Sequence, residues 1–141
     1  MDIKTPGRDR SLRQLAHHLI RVVEAGVDAD VTGEFPARQW LADPYVPAQT
    51  SAERIARFGD AVQAKFEAWY AVVDPAAFER TIDADVGPRT LTQVLQRTRS
   101  HAGQHLRQLY AMLELCGVKP VDRVTTARLR ELGLDLPEEV F

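Results

Sequence analysis

One cysteine in 141 residues, Cys116, leaves no partner for an intrachain disulfide. That usage fits a reducing compartment, and the expected location is cytoplasmic. Long apolar runs are also missing. No stretch approaches the ~20 apolar residues of a membrane span, and the opening MDIKTPGRDR lacks a signal-peptide core. No membrane partner is expected. Charge of one sign is missing as well: 18 Lys and Arg face 20 Asp and Glu, a net charge of −2. With no basic stripe interleaved with aromatics, nucleic acid is not an expected partner either. Aromatics are sparse, at 7% of the chain, but they gather in two stretches, Trp40–Tyr45 and Phe58–Tyr70. No internal repeat or low-complexity segment is present. The expectation is a single domain spanning 1–141, long enough to bury a core.

What the chain does have is helical periodicity. The longest uninterrupted pattern, Leu91 to Cys116, contains no Pro and one Gly. Leu91, Val94, Leu95, Ala102, Leu109, Met112, Leu113 and Cys116 recur at three- and four-residue steps and form one apolar stripe. Thr90 and Gln93 supply a T-x-x-Q start, and Gly117 and Pro120 a stop. An earlier helix opens at Ser11, with Gln14 completing an S-x-x-Q capping box and Gly26 as the expected stop. A third runs from Thr50, with Glu53 as its capping partner, to Asp74–Pro75. Its face carries Ile55, Phe58, Val62, Phe66, Trp69, Tyr70 and Val73. A short helix over Thr125–Leu132 ends at Gly133, and an apolar tail follows. Gly26 to Thr50 reads as mostly irregular. Pro36–Leu41 can form one or two helical turns there, and Phe35, Trp40 and Tyr45 can form a hydrophobic plug or cover a pocket mouth. Glu79–Ile82 can pair as a strand, but no partner is evident. The fold class is therefore all-α, a bundle of three amphipathic helices and a shorter one.

All four histidines fall in two places on these helices. His101 and His105 are one turn apart, inside the stripe of the long helix, so both imidazoles project to the same side. Ala102 stands where H-E-x-x-H would have its glutamate, so the zinc-protease motif is absent. On the early helix, the wheel sends His17 away from the apolar centre toward solvent. It sets His18 beside the stripe, one turn after Leu15 and one before Val22. His18, His101 and His105 can thus converge inside the bundle. Three neutral imidazoles suit a divalent metal, zinc by default, with nickel or iron as alternatives. Three protein ligands leave a position open, as in catalytic zinc sites, where the metal acts as a Lewis acid, acidifies bound water or holds a thiol as thiolate. Each ligand should pass its other ring nitrogen to an acceptor, and Thr98, Gln104 and Gln108 are within a turn of the pair. Arg97, one turn before His101, reads as a solvated flank residue, with an anion-holding role as the alternative. Cys116 reads as inert core packing.

The segment RSLRQLAHHLIRVVEAG, followed by HAGQHLRQLYAMLELCGVKP, resembles the DinB/YfiT-like superfamily of metal-binding four-helix bundles. By position, the family's early ligand falls on His18, seven residues after the capping Ser11, and its late pair on His101 and His105. The resemblance implies a DinB-like helical bundle, often a homodimer. Here only ten residues precede Ser11, so the family's usual first helix is expected to be lacking. Its flank would be covered by Thr125–Phe141 or by a second chain. Several members resemble or act as thiol-dependent S-transferases that use mycothiol, bacillithiol or glutathione. The expected function is that of a three-His metalloprotein, a thiol-dependent S-transferase or a related metal-assisted enzyme. Its partners would be a small-molecule substrate and a low-molecular-weight thiol. The competing expectation is a non-catalytic ligand-binding or stress-associated bundle with a structural metal site.

Overall fold

Ser11 begins the first helix of the chain as its N-cap. Its hydroxyl accepts from the Gln14 backbone N–H, and the Gln14 side chain accepts in return from the Ser11 N–H. This satisfies two of the donors that a helix start leaves unpaired. The helix it opens, α1, spans Leu12–Thr32 in a computed structural model that describes residues 3–4, 6–7, 10–36, 50–134 and 136–141. It does not stop at Gly26. A Cβ there would lie 3.1 Å from Cγ2 and 3.2 Å from Oγ1 of Thr98, so Gly26 is where the late helix approaches closely. The stop is Gly33, at φ 76°, whose N–H donates to the Ala29 carbonyl. A left-handed residue at this point suits glycine.

Helix α2 spans Ala52–Tyr70, and α3 spans Leu91–Leu115. The α2 cap is Ser51 rather than Thr50: its hydroxyl accepts from the Arg54 N–H at 3.3 Å. The Thr50 carbonyl instead accepts from Arg13 on α1. Thr90 and Gln93 form the capping box of α3. A short helix α4, Thr126–Glu131, is capped by Thr125, and Gly133 follows at φ 77°. Helix α1 lies between the other two long helices, packing most extensively on α3 and next on α2. The stripe expected on α2 is only half used. Ile55 and Val62 are buried, but Phe66 and Tyr70 are exposed, stacked 6.1 Å apart.

The chain is mostly helical, with one small sheet that periodicity did not reveal. Strands β1 (Glu34–Phe35), β2 (Thr81–Ala84) and β3 (Arg89–Thr90) lie in the order β1-β2-β3. β1 runs parallel to β2, pairing Glu34 with Asp83, and β2 runs antiparallel to β3, pairing Ile82 with Arg89. Two-residue strands carry no readable alternation, and of the two partners of Thr81–Ala84 only β3 is near in sequence, while β1 lies almost fifty residues before it. The sheet joins the end of α1 to the start of α3. Its Phe35 and Ile82 enter a core with Ala25, Ala29, Ala77, Leu91 and Val94. Trp69 of α2 is fixed to the same end, donating from Nε1 to Asp30 at 2.9 Å. At the opposite end Leu12, Leu15 and Met112 pack together with the partly buried Cys116 against them, the expected packing role for that thiol. Among the described residues no helix is long and apolar enough to cross a membrane. Residues 37–41 of the expected turns, and Trp40 and Tyr45 of the expected plug, lie outside the described residues.

Candidate metal centre

Between the two core clusters, α1 and α3 bring three imidazoles together. The ligand atoms of His18, His101 and His105 all lie within 4.8 Å of one another. His101 Nε2 is 3.2 Å from His18 Nε2 and 3.0 Å from His105 Nε2. The rings meet edge-on, at 70° for His18 and His101, 76° for His18 and His105, and 87° for His101 and His105. His18 and His105 are buried, at 8% and 5% exposure, whereas His101 is exposed. The centre therefore sits at the edge of the bundle rather than in the dry interior that the apolar stripe predicted. His101 is on its open side.

The geometry can be tested against a shared cation. Metal–nitrogen bonds of about 2.0–2.1 Å at angles between about 90° and 109° separate the nitrogens by about 2.9–3.4 Å. The two Nε2 separations fall in that interval. Proton accounting points the same way. His105 Nδ1–H donates to Gln108 Oε1 at 2.7 Å, which leaves a lone pair on Nε2 of the neutral ring. If His101 Nε2 carries a proton, that one proton serves two acceptors. If it carries none, lone pairs face each other at 3.0 Å. A cation accepts all three lone pairs at once, so the residues fit a metal.

A family model of the DinB superfamily matches residues 1–109. The chain belongs to the DinB superfamily. Searches among curated proteins and among solved structures gave no match. The three histidines of this DinB protein and Gln108 lie within the matched stretch, and the tail beyond Leu129 lies outside it.

His17 does not face solvent: it is half-buried and stacks on Phe58 of α2, ring centroids 5.1 Å apart at 24°. The wheel assumed one packed face on α1, but a second helix covers the opposite one. Burial lowers the His17 pKa below its ordinary value of 6.5, Arg21 adds to this, and Glu24 opposes it. Arg97 is exposed and pairs with Asp85 at 3.8 Å, the flank role expected of it. Of the three candidate acceptors, Gln108 takes His105 Nδ1–H. Gln104 turns instead to the carbonyls of Glu139 and Val140, at 3.2 and 2.9 Å. Thr98 Oγ1 is buried without a hydrogen-bond partner. Sequence reasoning narrowed the acceptor to a turn of helix but gave no sign that the tail would reach it.

Proposed function

We propose that His18, His101 and His105 hold a divalent metal ion, zinc first by ligand chemistry, and that the loaded protein is a thiol-dependent S-transferase. The observation that carries the metal reading is the convergence of three Nε2 atoms with one tautomer already set by Gln108. A bound metal would supply Lewis acidity that favours the thiolate form of a small thiol. The chain's part is to orient the three rings and to bury two of them. The exposed side of His101 gives a low-molecular-weight thiol and an electrophile their approach. The lone cysteine supports a reducing cytoplasmic setting, and the exposed Phe66 and Tyr70 support a homodimer through α2.

Metal analysis of the purified protein with single Ala changes tests the site. His18→Ala, His101→Ala and His105→Ala should lose the metal, and His17→Ala should keep it. Loss in His17→Ala with retention in His18→Ala would end the assignment. Consumption of mycothiol, bacillithiol or glutathione with an electrophile tests the activity. No turnover with any of them leaves the second reading, a non-catalytic bundle with a structural metal site. Light scattering tests the dimer.

A further inference from the structure

The segment after α4 is a strap across the outer side of α3. Leu134 and Leu136 reach Gly103, where a Cβ would lie 2.4 Å from Leu134 Cδ2. One helix turn on, buried Arg107 donates from Nη1 to the Pro137 carbonyl at 2.6 Å and from Nη2 to the Glu138 carbonyl at 3.2 Å. Gln104 Nε2 donates to the carbonyls of Glu139 and Val140. Gln108 Nε2 donates to the Val140 carbonyl at 2.9 Å. Four consecutive carbonyls of the strap are thus held by three side chains of a single stretch of α3.

The last contact reaches the histidines. An amide side chain can present either its oxygen or its nitrogen, and its surroundings decide which. The Val140 carbonyl accepts only from a donor, so it draws the amide nitrogen of Gln108. The amide oxygen is then turned to His105 Nδ1, at 2.7 Å. An oxygen there requires Nδ1 to carry the proton, which leaves the Nε2 lone pair facing the other two rings. We infer that Gln108 is a positioning residue for His105, and that strap residues 137–140, by fixing the Gln108 amide, form an outer layer of the metal centre, so that strap docking and metal binding reinforce each other. The strap lies outside the stretch matched by the family model, so this layer does not follow from membership of the superfamily.

The inference rests on the metal reading above, and the experiment keeps the two apart. Zn2+ is titrated into wild type, Gln108→Leu and Gln108→Glu in competition with a chromophoric chelator. If wild type binds no Zn2+, the proposed function itself fails. If wild type binds, Gln108→Leu, which can neither accept from Nδ1 nor donate to Val140, should bind on the order of 10–100-fold more weakly. Gln108→Glu still accepts the Nδ1 proton but can no longer donate to the Val140 carbonyl, so it should bind more weakly than wild type and more tightly than Gln108→Leu. Gln108→Leu within threefold of wild type would overturn the inference. Two readouts do not depend on a folded variant. Long-range proton–nitrogen spectra of metal-free wild type should show His105 as the Nδ1–H tautomer, and the Nε2–H tautomer would overturn the role of Gln108. Zn2+ should slow amide exchange across residues 136–141 of wild type, since coupling between two sites is reciprocal. Exchange there unchanged by saturating Zn2+ would overturn the role of the strap.

Discussion

Changing Gly26 to Ala tests the contact that sets the spacing of α1 and α3. In an ordinary helix interior Gly→Ala stabilises by about 1 kcal/mol, because alanine has less backbone freedom to lose. Here the new Cβ would stand 3.1 Å from Thr98 Cγ2, 3.2 Å from its Oγ1 and 3.5 Å from Leu95 Cδ2. Carbon pairs pack best at about 3.5–4.0 Å, so Thr98 must yield by a few tenths of an ångström or the helices must part. Forced packing of this kind costs about 1–3 kcal/mol. The expected net effect is a loss of about 1 kcal/mol. In a Thr98→Ala background both blocking atoms are gone, and Leu95 at 3.5 Å is in ordinary contact. There Gly26→Ala should recover its helical gain and stabilise by about 1 kcal/mol, so the pair should couple by about 2 kcal/mol. Urea unfolding of the four metal-free proteins measures the cycle. Equal effects of Gly26→Ala in both backgrounds would refute the close approach, as would plain stabilisation in the wild-type background. Because α1 carries His18 and α3 the other two histidines, Gly26→Ala should also weaken Zn2+ binding, and Thr98→Ala should restore it.

Other outcomes follow from the caps and the metal. Ser51→Ala should destabilise by about 1 kcal/mol and Thr50→Ala much less, measured by urea unfolding, since the hydroxyl that caps α2 belongs to Ser51. That hydroxyl is also the largest cause holding the exposed Glu53 carboxyl below its ordinary 4.5. The Glu53 contribution is therefore present above 4.5 and lost as pH falls through the lowered value, and in Ser51→Ala this acid step should shrink in a pH series of melts. If the histidines hold zinc, Zn2+ at 100 times its dissociation constant should stabilise by about 2.7 kcal/mol. At about 2–4 °C per kcal/mol that raises the melting temperature by roughly 5–10 °C. A chelator should reverse the rise, and His105→Ala should abolish it.

Local chemistry determined much of this protein. The three- and four-residue steps from Leu91 predict α3 to within a residue, the cap pairs Ser11/Gln14 and Thr90/Gln93 form as read, and the i, i+4 spacing sends His101 and His105 to one side. These features depend on neighbours a turn away, so a sequence carries them openly. What depends on a second element was decided by tertiary packing. Gly26 reads as a helix stop but is the point where α3 packs against α1, and His17 reads as solvated but is covered by α2. The two-residue strand Glu34–Phe35 exists only because a distant partner, Thr81–Ala84, offers hydrogen bonds. The choice of Gln108 over Thr98 and Gln104 belongs to the same class. All three are within one turn of the histidines, and the selection comes from carbonyls some thirty residues further on. Helical phase is set by the backbone's own geometry, whereas the partner of a buried polar group is set by whichever chain segment arrives beside it.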